Sequence, residues 1–283
     1  MANKDILYDY SVSESEKENF RRACSEVFAN RNDERLFAGI GTFNEKQLHA
    51  VIKRYLSPDF TRHEIKLADN IETESNSDAS GKSSCLGYVA DILTEEGDIY
   101  EVQTGSLYPL RGKLMWYLKN TEYYISVVYP VPYIRWLRWI EPDSGKISPK
   151  RRCPKRGGIT DIAHELYWIR EFIGDRRFSL RVLFIDMEEY RIRNGWDKSG
   201  KRGSERYERI PVELEGTAFL NGAEDYRAFL PDTLCGLFTA SQYAKATGIR
   251  GKSTYSMLKI LCGLGLIEHT GEKKRKSALY RII

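Results

Sequence analysis

Nowhere in its 283 residues does this chain hold an unbroken apolar run of about 18 residues, the length a helix needs to cross a bilayer, so no helical membrane span is expected. The opening Met1-Ala-Asn-Lys-Asp-Ile-Leu-Tyr-Asp-Tyr10 lacks the apolar stretch of a secretory leader, and a cytoplasmic protein is the expectation. Cysteine is sparse. The five residues, at 24, 85, 153, 235 and 262, are odd in number, scattered, and include no C-x-x-C pair. That usage fits free thiols in a reducing compartment rather than a disulfide framework. The four histidines show no metal-ligand spacing with the cysteines, which argues against zinc. No internal repeat is present. Neither sign of charge dominates: the net charge is +4, with 30% charged and 41% hydrophobic residues, an ordinary globular balance with room for one large core or two domains.

The charge that exists is unevenly placed. From Leu230 to Ile283, nine Lys or Arg stand against three acids, a net of +6, which leaves the rest of the chain near −2. A basic C-terminal module on a nearly neutral body points to a polyanionic partner. A second basic stretch, Lys150 to Arg156, has Lys or Arg at five of seven positions and reads as a loop able to lie on DNA.

The richest segment is Tyr88-Val-Ala-Asp91-Ile-Leu93, the turn Thr94-Glu-Glu-Gly97, then Asp98-Ile-Tyr-Glu101-Val-Gln103. It reads as two strands joined by a hairpin. Side chains alternate faces along a strand, so Glu101 and Gln103 share a side. Asp91 lies where the first strand can present it beside Glu101. A carboxylate inside an apolar strand is costly unless it is paired or binds a cation, and two converging carboxylates suit a hard divalent ion.

The pattern Asp91…Glu101-x-Gln103 resembles the active-site signature of the PD-(D/E)XK, or restriction-endonuclease-like, nuclease superfamily. The neighbouring elements follow that order over roughly residues 40–135. An amphipathic helix is predicted over 44–56 with Glu45 in its first turn, the hairpin follows, then a helix over 106–118, then a buried strand over 123–130. The resemblance implies an α/β fold, a restriction-endonuclease-like mixed sheet flanked by helices. It also implies Mg²⁺ or Mn²⁺ held by Asp91, Glu101, the Val102 carbonyl and Glu45. Gln103 stands where Lys is commonest. It can hydrogen-bond a water but carries no charge, so Lys113 or Arg111 on the following helix would counter the phosphate charge. The implied catalytic set is Glu45, Asp91, Glu101, Gln103 and Lys113. His49, one turn after Glu45, reads as a packed or capped surface residue rather than a general base, and His164 reads the same way. Glu64 joins the site only if its strand pairs with that of Asp91.

The last fifty residues resemble a winged helix-turn-helix domain. A short helix ends at Gly248, a longer one with a Ser/Thr start signal spans 253–264, and two strands flank a charged hairpin tip over 270–276. In such a domain the second helix enters the major groove and the wing touches the backbone. Lys252, Ser253, Thr254, Tyr255 and Lys259 on the helix, with Lys273, Lys274, Arg275 and Lys276 on the wing, are the implied nucleic-acid contacts.

The resulting expectation is an N-terminal helical extension (1–35), a nuclease-like domain with insertions (36–229), one of them the polar stretch 68–84, and a winged helix (230–283). The function expected is that of a metal-dependent DNA endonuclease, for which double-strand cutting favours a homodimer. The alternatives are an inactive nuclease-fold DNA-binding regulator and an RNA-processing nuclease. A duplex-DNA partner is favoured because the major groove of A-form RNA is too narrow for a helix.

Overall fold

The computed structural model describes residues 10–29, 46–67, 88–195 and 203–283, with Lys46 as backbone only. The expected insertion over 68–84, and Glu45 with it, lie outside the described residues.

The protein is α/β, built on a large mixed sheet flanked by helices. The sheet's seven strands are β1 (His63–Lys66), β2 (Val89–Leu93), β3 (Asp98–Val102), β4 (Tyr124–Ile140), β5 (Arg151–Arg152), β6 (Phe178–Ile192) and β7 (Glu205–Leu220). Their order is β1-β2-β3-β4-β6-β7, with β5 added on β4. The centre, β3-β4-β6, is parallel, and the flanking pairs are antiparallel. Parallel strands are buried on both faces and read as nearly continuous apolar runs. Leu180, Val182, Leu183, Phe184, Ile185 and Met187 do this along β6.

Each face carries its own helices. On one side α1 (Glu14–Phe28) and α2 (Lys46–Leu56) cover Val102, Val128, Leu183 and Leu214. α1 starts from a reciprocal cap between Ser13 and Glu16 and buries Phe20, Ala23 and Cys24, the i, i+3, i+4 spacing of one helix face. The chain ahead of α1 bridges onto β7 at Ser11 and Gly216, where a Cβ would lie 2.6 Å from the Tyr10 carbonyl oxygen. Glycine is required there by contact. The other side carries α3 (Leu110–Asn120), which buries Leu114 and Tyr117, and α4 (Ala163–Ile169), which buries Leu166 and Ile169. The helix predicted from Thr160 to Ile173 is shorter than expected. A 3₁₀ turn over Ile159–Ile162 precedes seven α-helical residues, and turns follow to Gly174, whose φ of 102° ends any helix.

The C-terminal segment forms a second, three-stranded antiparallel sheet in the order β8 (Leu237–Thr239), β10 (Ser277–Ile282), β9 (Ile267–Lys274). Two helices pack on it, α5 (Ala240–Thr247) and α6 (Lys252–Gly263). α5 has a Thr239–Gln242 reciprocal cap and ends at Gly248 in the left-handed region, φ 76°. α6 begins after Gly251 (φ 63°) with no side-chain cap, so the predicted Ser/Thr start is not the one used. β9 continues through Lys274, and only Arg275 and Lys276 form the turn, with Arg275 at φ 60°. The charged tip is thus narrower than the sequence suggests. Met257, Leu258 and Leu261 of α6 share one continuous core with Ile169 and Phe172 next to α4. No helix among the described residues is long and apolar enough to cross a membrane.

Candidate active site

β2 and β3 pair through Ile92↔Tyr100 and Leu93↔Ile99. Beyond that register the ladder gives way to a side chain: the Val102 N–H donates to Asp91 Oδ2 at 2.8 Å. The same oxygen lies 3.2 Å from His49 Nε2 on α2. His49 therefore faces the carboxylate rather than sitting as a packed or capped surface residue. Its ring bridges the helix layer to the hairpin.

Glu101, on β3, is 1% exposed. α3 supplies both of its partners: Lys113 Nζ donates to Oε2 at 2.6 Å, and the Tyr117 hydroxyl donates to Oε1 at 2.8 Å. Lys113 and Tyr117 are four residues apart, hence stacked on one helix face. The i, i+4 spacing from Lys113 marks Tyr117 in the sequence.

The two carboxyls are shifted in opposite directions. Burial pushes Glu101 up to about 7; the Asp91 charge adds to the rise, while Lys113 and the Tyr117 hydroxyl oppose it. Burial also acts to raise Asp91, but the His49 hydrogen bond, the nearby positive charges and the Val102 N–H outweigh it and hold Asp91 below its ordinary value. Near neutral pH this makes one fixed anion beside one group poised to gain or lose a proton.

The other predicted residues divide. Gln103 donates its amide to the Ser106 carbonyl oxygen at 2.5 Å, so it ties the turn after β3. Arg111 makes a two-pronged pair with Glu171 at 2.5 and 2.8 Å, which commits it away from Glu101. β1 does pair with β2, yet Glu64 adopts φ 55° and binds Lys53 Nζ at 3.1 Å with its carboxylate mostly exposed, so it does not join Asp91. Among the described residues no three His, Cys, Asp or Glu side chains gather as metal ligands.

A second buried acid supports the loop after β3. Glu165 Oε2 accepts from Leu107 N at 2.6 Å and Ser106 Oγ at 3.0 Å, and its Oε1 lies 3.1 Å from His164 Nε2. His164 Nδ1 donates to the Asp161 carbonyl oxygen at 2.9 Å. The Glu165 hydrogen bond holds His164 above its usual value. Arg209, from β7, donates to the buried Thr104 carbonyl oxygen on the same loop. Sequence spacing gave no sign of Glu165 or Arg209, because both reach the loop from elements distant in the chain.

At the C-terminus, Lys252, Tyr255 and Lys259 are exposed on α6, Ser253 is half-buried, and Lys273, Lys274, Arg275 and Lys276 are exposed around the β9–β10 turn. Thr254 is different. It is 3% exposed, and its hydroxyl donates to the Ile249 carbonyl oxygen at 3.0 Å, so it caps the turn between helices and is not a surface contact.

Fold and site together define an α/β protein with a carboxylate pair on a hairpin at one side of a mixed sheet. The chain belongs to the family described as a domain of unknown function, DUF8091, whose model matches residues 74–221, just over half of the chain and including the whole hairpin. It is also similar to a protein of Treponema pallidum (strain Nichols) named only as uncharacterized, with 26% identity over 188 residues. That match covers 66% of this chain and 64% of the relative, less than two thirds of the latter's length. No solved structure matches.

Proposed function

We propose that the protein is a metal-dependent DNA endonuclease with a restriction-endonuclease-like core and a C-terminal winged helix. The observation that carries this reading is the buried Glu101, held by Lys113 next to an ionised Asp91. Glu101 pairs with Lys113 while Asp91, held by His49 and the Val102 N–H, lies close enough for its charge to push the Glu101 carboxyl up.

The donor set is all oxygen, which suits Mg²⁺ or Mn²⁺. A cation beside Glu101 would also relieve the burial cost that keeps its carboxyl near neutrality. Asp91 and Glu101 would hold it, with the Val102 carbonyl and Glu45 as the remaining ligands. When bound, the ion would polarise a phosphate oxygen and acidify a water. The chain's own residues do the rest. His49 fixes the orientation of Asp91 and can accept a proton in its neutral form. Lys113, whose ammonium lies 2.6 Å from Glu101 Oε2, would offer its charge to the phosphate. Gln103 would align the attacking water only by releasing Ser106.

That last requirement favours one rival, an inactive nuclease-fold DNA-binding regulator, because the Gln103 amide is already engaged. The deciding experiment incubates purified protein with supercoiled plasmid and Mg²⁺ or Mn²⁺, beside a chelator control and Asp91→Ala. Nicking that vanishes in both controls supports the nuclease. Intact plasmid across varied and branched DNA, with a gel shift retained, supports the regulator. Cleavage of RNA but not DNA would move the assignment to an RNA-processing nuclease.

A further inference from the structure

A cleft of about 270 Å³ opens beside the loop after β3, floored by β4 around Pro130–Pro132 and walled by Arg135, Lys155, Asp161, His164 and Arg209. Three of these are permanent cations; Lys155 pairs with the one carboxylate, Asp161, and Arg135 reaches Glu189 outside the lining at 3.5 Å. Arg209 is 8% exposed, so a guanidinium is built into the wall.

Lys155 brings the end of the basic run over 150–156 to the cleft, and the attachment just beyond it is specific. The Gly157 N–H donates to the Tyr133 carbonyl oxygen at 2.8 Å, and a Cβ at Gly157 would lie 2.0 Å from the Pro132 carbonyl oxygen. Only glycine lets the loop lie this close to β4. Arg156 is stacked on Tyr133, 4.8 Å from the ring centroid, which pins the rim from outside.

Two walls also touch the loop after β3. Arg209 holds Thr104, and His164 holds Glu165, which holds Ser106 and through it Gln103. The cleft and the carboxylate site therefore share the loop after β3, which cleft residues hold on one side. Convergent cations with fixed donors in a concave site match a phosphate group.

We infer that this cleft binds a phosphate of the nucleic-acid strand next to the one being cut, and so sets the strand's path past Asp91 and Glu101. The strand's identity rests on the nuclease reading; anion binding by the cleft does not.

The test uses the full chain without divalent metal, titrated by calorimetry with inorganic phosphate and with the dinucleotide dTpT. Lys155→Glu is the main variant, since Lys155 is largely exposed and reverses charge at the rim without emptying the core. Arg135→Gln is the second, with Glu189 still held by Arg191. Both ligands should bind wild type saturably and Asp91→Ala equally well, with affinity about tenfold weaker in Lys155→Glu. No saturable binding by wild type overturns the site. So does loss in Asp91→Ala with retention in both cleft variants, which would put the anion at the carboxylates. Binding of phosphate but not dTpT overturns the strand assignment. Cleavage plays no part in any arm, so failure here is separable from failure of the nuclease reading.

Discussion

Lys113 Nζ lies 2.6 Å from Glu101 Oε2, inside a site where Glu101 is almost wholly buried. Removing one partner of a buried pair leaves the other charge uncompensated, which typically costs about 3 kcal/mol. Lys113→Met should therefore destabilise the fold by about that amount at pH 8 and by much less at pH 5, where Glu101 takes up a proton instead. The Glu101 carboxyl should rise further in this variant, because Lys113 opposes its upward shift. Denaturant melts at the two pH values, with a carboxyl-carbon NMR titration, would check both; equal destabilisation at pH 5 and 8 contradicts the pairing.

The raised Glu101 value also sets a sign. An acid whose folded value lies above its unfolded one binds more protons when folded, so its stabilising contribution is complete below the unfolded value and disappears as pH rises through the folded one. For Glu101 that window runs from its ordinary 4.5 up to about 7. Wild type should lose about 3 kcal/mol relative to Glu101→Gln across it. Asp91, shifted the other way, contributes stability above its ordinary value and loses it on acidification. Urea melts of wild type and Glu101→Gln from pH 4 to 8 measure the difference, and a flat difference would count against a buried, near-neutral Glu101.

Divalent metal should stabilise the folded chain. At a concentration about 100 times the dissociation constant, one site contributes roughly 2.7 kcal/mol. Thermal melts with Mn²⁺ and with chelator should differ in wild type and coincide in Asp91→Ala. A metal-dependent rise that survives in Asp91→Ala would place the ion elsewhere.

On the C-terminal unit, Lys259→Ala should weaken duplex binding across sequences and lower the salt slope by about one. Thr254→Val should leave the salt slope unchanged and cost about 1–3 kcal/mol of stability, since it strands the buried Ile249 carbonyl. Fluorescence anisotropy against salt separates the two behaviours. A Thr254→Val protein that folds normally and binds DNA poorly would reverse the assignment.

The hairpin was legible in the sequence because its information is local. Alternation along β3, the Thr94–Gly97 turn and the apolar period of α2 and α3 each lie within a dozen residues. Lys113 was legible for the same reason. What escaped were contacts made at long range. Glu165 reaches Ser106 across 59 residues and Arg209 reaches Thr104 across 105, so no window on the chain contains either pair. His49 meets Asp91, which the sequence does not show because a histidine one turn along an amphipathic helix has the same pattern whether it meets a carboxylate or solvent. Thr254 failed as a surface contact because its position on α6 falls among Met257, Leu258 and Leu261, the face turned to the core. The polar stretch 68–84 lies outside the described residues and adds nothing to either side.

The core joining α6 to α4 has a mechanical consequence. Ile169, Phe172, Met257, Leu258 and Leu261 belong to one core that runs from one sheet to the other, so the exposed face of α6 and the hairpin carboxylates stand apart by a set span, like the jaws of a caliper. Making the two sheets as separate pieces divided near residue 230 would bare two complementary apolar surfaces, one on each piece.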